Sequence, residues 1–167
     1  MRFAYADPPY FGQGKKDYGH RHAEAGVWDK AAAHLDLAGR LVDDYPDGWA
    51  LSCNPKDLRM YLPALPTDVR VAAWVKTYHQ VWGHITTQYA WEPVIFRGGR
   101  VIKGRNPMVR DWCSADVARG TGFKGAKSIA FNRWVLDLLG YQDGDTVDDL
   151  FPGTGSMGKT LAQGVLL

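Results

Sequence analysis

The sequence has little of what marks secreted, membrane or metal-rich proteins. Its 167 residues include two cysteines, Cys53 and Cys113, without the C-x-x-C spacing of zinc and redox sites. No apolar run approaches the ~20 residues that a membrane-spanning helix needs. The opening MRFAYADPPY also lacks the apolar core and small-residue cleavage site of a secretory signal. We therefore expect a cytoplasmic protein with no membrane partner, no disulfide framework and no bound metal.

What is present is the composition of an ordinary globular domain. Hydrophobic residues make up 46% of the chain and charged residues 23%, which excludes collagen-like and disordered classes. The length suits one hydrophobic core, and neither an internal repeat nor a linker divides the chain. We expect a single domain over residues 1–167.

Positive charge is concentrated in one segment. Between Arg97 and Lys127, eight Lys and Arg side chains stand against two acids, a local net charge of +6 that leaves −4 for the rest of a +2 chain. Such a segment favours a polyanionic partner, although a solvated loop would have the same composition. The basic residues of this segment and of the loop 11–22 that we take as candidate nucleic-acid contacts are Lys15, Lys16, Arg21, Arg100, Lys103, Arg105 and Arg110.

Apolar runs that alternate with amphipathic stretches predict an α/β protein. Strands are expected at 2–6, 48–53, 69–76, 86–98 and 145–151. Helices are expected from about Val27 to before Pro46, at 55–65, at 128–140 with Gly140 as the stop, and from Ser156 onward. Strands separated by helices favour a mostly parallel sheet.

Glycine and proline mark the regions between these elements. Residues 10–26 are rich in glycine and polar side chains, so we expect a loop there. The basic segment 97–127 shows little periodicity and is expected to be mostly loop. Pro93 interrupts the run 86–98, and because proline donates no ladder hydrogen bond, it predicts an edge strand or a bulge.

The glycine-rich stretch DDLFPGTGSMGKTL, residues 148–161, has two interpretations. Residues 153–160 fit G-x-x-x-x-G-K-[ST], the pattern of a P-loop that wraps phosphates with backbone N–H groups and neutralises them with Lys159. A P-loop enzyme also needs an acid to hold Mg²⁺, for which Asp7 is the available candidate. Alternatively, a strand ends at Asp149, and a turn with Gly153 and Gly155 opens a helix, as in a Rossmann-type cofactor turn.

A second motif, Asp7-Pro8-Pro9-Tyr10, directly follows the first predicted strand. Two prolines fix the backbone, so that a carboxylate and a carbonyl can point at one small target. An exocyclic amino group has two N–H donors for these acceptors, and Tyr10 offers a ring on which a planar base can stack. Taken alone, D-P-P is equally typical of a simple turn that ends a strand.

Together, the two motifs resemble those of the amino methyltransferases that use S-adenosylmethionine to methylate N6 of adenine or N4 of cytosine. DPPY is followed by D-x-F-x-G-T-G over residues 149–155, and Tyr89-Ala90-Trp91-Glu92 and the helix after Lys127 are similar to further stretches of that family. The order, with DPPY first and the cofactor turn last, resembles the permuted beta arrangement. The resemblance spans nearly the whole chain.

The resemblance implies a Rossmann-like methyltransferase sheet, reduced by the absence of the outer strands on the cofactor side. It implies that the target base meets Asp7, Pro8, Pro9 and Tyr10. It implies that S-adenosylmethionine is held by Asp149, Phe151, Gly153, Thr154 and Gly155, with Lys127 and Ser128 at its methionine end. Ser128 replaces the proline of the family's Lys-Pro pair. Glu92 receives no assigned role; we expect a structural hydrogen bond or a salt bridge to Arg97.

The function implied is site-specific methylation of adenine N6 in double-stranded DNA, on a base flipped out of the helix. The aspartate that opens DPPY favours adenine; cytosine N4 and adenine in RNA stay open, as do a small P-loop NTPase and a non-catalytic nucleic-acid-binding protein. This interpretation predicts that strands 2–6 and 145–151 are parallel neighbours. Strand 145–151 would then be an exposed edge, and because edges invite pairing, we expect a homodimer.

Overall fold

The computed structural model describes residues 1–20, 22–77, 81, 83–104, 108–118 and 125–164. Within these ranges the strands are β1 (Arg2–Ala6), β2 (Gly48–Ser52), β3 (Arg70–Val75), β4 (Trp91–Gly98), β5 (Trp112–Ser114) and β6 (Thr146–Asp149). The α-helices are α1 (Ala31–Asp44), α2 (Leu58–Tyr61), α3 (Ile129–Leu139) and α4 (Ser156–Ala162).

All six of these strands form one sheet in the order β5-β3-β4-β2-β1-β6. β1 runs parallel to both β2 and β6, and β3 runs parallel to β5, whereas β4 is antiparallel to its two neighbours. The expected α/β class with a mostly parallel sheet is thus confirmed. So is the expected pairing of the first and last strands, in which Phe3 lies opposite Val147 and Tyr5 opposite Asp149. The carboxyl ends of β1 and β6 therefore meet at one edge of the sheet.

Helices cover both faces of the sheet because the strand side chains alternate between two cores. Phe3 and Tyr5 of β1 join a core completed by α3, whereas Ala4 and Ala6 join the other core, which is completed by α1 and α2. The largest side chains that are fully buried include Trp74 and Phe131 in the first core and Trp49 and Leu41 in the second. Burial of both faces explains why these strands read as continuous apolar runs.

Helix α3 is bounded as its sequence predicts. Ser128 is the N-cap, and its Oγ accepts a hydrogen bond from the Phe131 N–H at 3.3 Å. Gly140 ends the helix in the left-handed conformation with φ 63°, where a Cβ would lie 2.4 Å from the Arg100 carbonyl oxygen. Ile129, the first residue of the helix, keeps 36% of its surface exposed. Because the N-cap fixes where α3 begins, it also fixes the position of Lys127, the residue before it.

Pro93 does not mark an edge strand, because β4 lies between β2 and β3. The β2–β4 ladder ends at the pair Ser52 and Val94, so Pro93 lies one residue beyond it, and its carbonyl accepts from the Cys53 N–H at 3.2 Å. On the other side, the Ala73 N–H opposite Pro93 points to β5, where the Asp111 carbonyl accepts it at 2.8 Å. The missing proline N–H therefore costs no bond on the β3 side. On the β2 side, the pair Cys53 and Pro93 keeps one of its two possible bonds, and the ladder ends there.

The two expected loops contain structure that periodicity does not reveal. The loop 10–26 includes a π-helical turn, Gly14–Tyr18, and most of a 3₁₀ turn, Ala23–Asp29, so that α1 begins at Ala31 instead of near Val27. Asp29 joins the two turns by accepting from the N–H groups of Gly14 at 2.7 Å and Lys15 at 3.2 Å. In the basic segment, β5 adds a three-residue strand beside β3. Both corrections arise from contacts between segments, which a local pattern does not record.

No helix in the described part of the chain combines the length and the apolarity that crossing a bilayer requires.

The contacts of Asp145, which we call the ion-pair hub, predict how the free energy of unfolding depends on pH. Asp145 accepts from the Arg100 guanidinium at 2.6 Å, from the amino group of Met1 at 2.7 Å and from the Gln142 N–H at 2.9 Å. Hydrogen bonding to Arg100 first of all holds the pKa of Asp145 well below its usual range. A lowered folded-state pKa stabilises the protein above the unfolded value of about 4, and this stabilisation is lost as the pH falls below it.

We expect Asp145→Asn to lower the free energy of unfolding at pH 7 and to flatten its dependence on pH between about 4 and 2. Urea unfolding at several pH values measures both effects. Asp68→Asn, at an exposed carboxylate that pairs with Arg97, is the matched control. Equal slopes for wild type and Asp145→Asn would show that the hub does not contribute.

Candidate active site at the ends of the first and last strands

A cleft of about 540 Å³ lies where β1 and β6 end. Its lining combines Asp7 and Pro9 after β1, Lys127 before α3, and residues 149–154 with Ser156 after β6. The size lies within the ~300–1,000 Å³ of small-molecule sites. Because the chain leaves β1 toward β2 on one side and β6 lies on the other, this is the switch point at which doubly wound sheets bind ligands. The acid of the DPPY motif and the glycine turn therefore face one cleft, as the sequence predicts.

The glycine turn has the backbone that its sequence requires. Gly153 and Gly155 adopt left-handed conformations with φ 45° and φ 69°, which favour glycine, and a Cβ at Gly155 would meet no atom within 4 Å. The turn is therefore fixed by backbone conformation and leaves open space above it. Asp149 Oδ1 accepts from the Phe151 N–H at 3.3 Å, and burial raises the pKa of this carboxyl.

An aromatic wall faces the turn. Trp28 packs edge-on against Phe151, with ring centroids 4.9 Å apart, and both line the cleft. Buried His34 holds Trp28 in place. The His34 Nε2 lies 2.8 Å from the Trp28 carbonyl oxygen. Because a carbonyl oxygen can only accept, Nε2 is the donor. The other ring nitrogen, Nδ1, is hydrogen-bonded to the Tyr61 hydroxyl at 2.5 Å, so both ring nitrogens of His34 have partners. The sequence offers no motif for this wall.

A cluster of charged groups supports the Asp7 side of the cleft. The Lys127 ammonium donates to Asp7 Oδ1 at 2.9 Å and to the Tyr10 hydroxyl at 3.3 Å, and it lies 3.6 Å from Glu92 Oε2. Tyr10 in turn donates to Glu92 Oε2, and Lys76 donates to Glu92 Oε1. We call Asp7, Tyr10, Lys76, Glu92 and Lys127 the charge cluster; its two ammonium and two carboxylate groups balance.

Mutual contact opposes the effect of burial on the charged groups of this cluster. Burial would raise the pKa of Glu92, but the Lys127 and Lys76 ammonium groups lower it. Burial would lower the pKa of Lys127, but Asp7 and Glu92 raise it. At Asp7 burial dominates, so its pKa is raised despite Lys127. Burial and then Glu92 raise the pKa of Tyr10, so its hydroxyl stays a neutral donor.

The structure brings most of the expected motif residues to the cleft. Its lining includes Asp7, Pro9, Lys127, Asp149, Phe151, Gly153 and Thr154. Four other motif residues are outside that lining: Tyr10 is joined to it through Lys127, Ser128 caps α3, and Pro8 and Gly155 are chain neighbours of lining residues.

Glu92 does not pair with Arg97, which was one expectation; Asp68 accepts from that guanidinium at 2.8 Å. Its partners are those of the charge cluster. Lys76, Tyr18 and Trp28 are further site residues that the sequence interpretation missed. For Glu92 a signal exists, since it is the one charged residue within the run Trp91–Phe96.

The basic candidates lie in different surroundings. Lys15 and Lys16 are exposed on the π-helical turn, whose residue Tyr18 lines the cleft. Arg100 is held by Asp145 in the ion-pair hub. Lys103 and Arg110 are exposed, and the Arg110 guanidinium lies over the Trp112 ring, 5.5 Å from its centroid. Arg21 and Arg105 lie outside the described residues.

The P-loop interpretation conflicts with the position of Thr160. A P-loop hydroxyl at this position ligates Mg²⁺. Here the Thr160 side chain is fully buried; its Oγ1 donates to the Ser156 carbonyl at 2.8 Å and accepts from Asn132 Nδ2 at 3.2 Å. Lys159 is exposed on α4 and is not among the residues that line the cleft. The last residue of the pattern, Thr160, therefore serves the packing of α4 on α3.

Neither a protein-family model nor a curated protein sequence matches this chain. Among solved structures, the crystal structure of the M1.HpyAVI–SAM complex aligns with a TM-score of 0.66, covering 98% of this chain and 77% of that one at 15% sequence identity. The crystal structure of M1.HpyAVI alone aligns with a TM-score of 0.56, covering 96% and 75%, also at 15% identity. The fold is therefore the Rossmann-like fold of methyltransferases.

The charge cluster predicts how Asp7 titrates. Burial raises the pKa of Asp7 and Lys127 opposes that rise, so Lys127→Met should raise the pKa of Asp7 further. Carboxyl-carbon NMR of ¹³C-labelled aspartate, assigned with Asp7→Asn, measures this change. Lys103→Met, at an exposed lysine, is the control. An unchanged or lower pKa in Lys127→Met would contradict the coupling.

Proposed function

We propose that this chain is an S-adenosylmethionine-dependent methyltransferase that modifies the N6 amino group of adenine in DNA. The observation that carries the proposal is the shared cleft: a carboxylate on a proline-fixed turn faces a left-handed glycine turn across one cavity. The likeness to M1.HpyAVI, a DNA methyltransferase crystallised with SAM, supports the same class.

The cleft fits S-adenosylmethionine. Trp28 and Phe151 form an aromatic wall suited to a planar purine, and the Asp149 carboxylate suits a hydroxyl or ammonium donor. The open space above Gly155 lets a ligand approach the backbone of the turn. When bound, S-adenosylmethionine supplies an electrophilic methyl group on a cationic sulfur. Phe151, Gly153 and the other cleft-lining residues of the turn are the groups that would hold it.

Asp7 activates the target amine by position and charge. Lys127 occupies Oδ1, which leaves Oδ2 to accept one N–H of the amino group, while the Pro8 carbonyl accepts the other. These two bonds favour a more tetrahedral nitrogen with an available lone pair. As the nitrogen gains a methyl group it becomes positive, and the Asp7 charge stabilises it and receives the proton that it sheds. Tyr10, fixed through its hydroxyl, offers its ring to the extruded base.

Duplex DNA is the proposed substrate. Lys15 and Lys16 extend from the segment that forms one wall of the cleft, and Lys103 and Arg110 lie exposed in the basic segment. These cations suit phosphate contacts, which position a duplex without reading its bases. The edge position of β6 in the sheet supports a homodimer. We propose adenine as the target base in preference to cytosine because the DPPY motif begins with an aspartate.

Transfer of a labelled methyl group tests the reaction. We expect wild-type protein to transfer tritium from methyl-labelled S-adenosylmethionine to varied duplex DNA, and Asp7→Asn to reduce the rate by about 10²–10³-fold, because the neutral amide no longer stabilises the developing positive charge. Asp68→Asn is the matched control. Digestion to nucleosides identifies the methylated base, and parallel reactions with RNA separate the alternatives. No transfer to any DNA or RNA at saturating donor would defeat the proposal.

Binding separates the methyl donor from a nucleoside triphosphate. Phe151→Ala removes half of the aromatic wall and should weaken S-adenosylmethionine binding by about tenfold or more in calorimetry. Lys159→Ala should leave that binding unchanged, because its side chain lies outside the cleft lining. Binding of ATP that Lys159→Ala abolishes would instead support the P-loop enzyme.

A further inference from the structure

We propose that Glu92 is a positioning residue that sets the net charge of the charge cluster beside the cleft, so that the cleft binds a cationic ligand in preference to a neutral one of the same shape. The inference rests on the proposed function, because the cationic ligand in question is S-adenosylmethionine. It begins from three contacts of one carboxylate at the start of β4.

Both oxygens of Glu92 are committed to the charge cluster. Oε1 accepts from Lys76 at the end of β3, and Oε2 accepts from the Tyr10 hydroxyl. Lys127 lies 3.6 Å from Oε2 and 2.9 Å from Asp7 Oδ1, so one ammonium group joins the two carboxylates. The Glu92 side chain is 12% exposed and that of Lys127 is 5% exposed. A carboxylate in this environment is costly unless each of its oxygens is compensated.

The charge count explains what Glu92 adds. Without its carboxylate, the ammonium groups of Lys76 and Lys127 would face Asp7 alone, and the support of the cleft would carry one net positive charge. With the Glu92 carboxylate, the charge cluster is neutral. Asp7 then presents Oδ2, the oxygen that Lys127 does not contact, with no excess of positive charge beside it. Glu92 contributes this charge through its contact with Lys127, which lines the cleft, and is not itself among the lining residues.

A neutral cluster matters because both species that need stabilising are positive. The sulfur of S-adenosylmethionine carries a positive charge, and the amine becomes positive as it is methylated. In S-adenosylhomocysteine, the demethylated form, the sulfur is neutral and the rest of the molecule is the same. The ratio of the two dissociation constants therefore reports the charge of the cleft and cancels losses of shape or packing that affect both ligands.

The experiment measures both dissociation constants by calorimetry for wild type and Glu92→Gln. Glutamine keeps the size of the side chain and an acceptor for Tyr10 but removes the charge. At about 10 Å and an effective dielectric of about 20, one unit charge changes affinity by about tenfold. We expect S-adenosylmethionine to bind about tenfold more weakly relative to S-adenosylhomocysteine. Glu92→Asp, which keeps the charge, should restore the wild-type ratio.

The opposite change provides a second, independent test. Lys76→Met removes one positive charge from the same carboxylate and should shift the ratio by a similar factor toward S-adenosylmethionine. The double variant Lys76→Met/Glu92→Gln restores neutrality and should return to the wild-type ratio. Tyr10→Phe, which removes a Glu92 partner without a charge, and Asp68→Asn, which removes a charge elsewhere, should leave the ratio unchanged. Thermal unfolding confirms that each variant is folded.

The outcomes separate this inference from the proposed function. Wild-type protein that binds neither ligand would defeat the proposed function. Wild-type protein that binds both, with ratios in Glu92→Gln and Lys76→Met equal to its own, would defeat the inference alone. Equal losses of affinity for both ligands in Glu92→Gln would also defeat it, since they would show a role in packing only.

Discussion

The parallel pairing of β1 with β6 is the constraint on which the site depends. These strands are separated by most of the chain, and each supplies one half of the cleft from the turn that follows it. The register of this pairing matters as much as the fact that the two strands are neighbours. Because Tyr5 lies opposite Asp149, the turns after β1 and β6 begin at the same level along the strands. Shifting the register by one residue would exchange the two faces of β6 and turn Val147 away from its core.

In the charge cluster, the free-energy cost of burying charged groups is offset by the contacts between them. Four ionised groups and one phenol occupy a region where single charges would be strongly disfavoured. They persist because each is compensated by at least one other, and because they come from separate elements: Asp7 after β1, Lys76 after β3, Glu92 in β4 and Lys127 before α3. The cluster therefore links four elements of the fold to the geometry of one carboxylate.

Sequence reasoning predicts the parts of this structure that local chemistry determines. The apolar runs of β1 and β2 and the stop of α3 at Gly140 each follow from a few neighbouring residues. The two motifs and their meeting across a cleft were also predictable, because parallel strands place their carboxyl ends together.

The remaining features depend on contacts between distant segments. The turn Gly14–Tyr18 is held by Asp29, and the partners of Glu92 come from three other elements; neither leaves a periodic trace in the sequence. Pro93 does not indicate an edge strand because the consequence of a missing N–H depends on where each ladder ends: Pro93 lies at the end of the β2–β4 ladder and opposite an N–H of β3 that points away from it. The G-K-T pattern misleads for the same reason, since the use of the Thr160 hydroxyl is decided by α3.

The wall of the cleft between Gly14 and Asp29 has a consequence for ligand exchange. Asp29 joins its π-helical and 3₁₀ turns, and none of its described residues belongs to a strand of the sheet. Opening this segment would break turn hydrogen bonds and the Trp28 contacts while β1 and β6 remain paired. The residues that follow β1 and β6 and the residues of this wall therefore come from structurally separate parts of the fold.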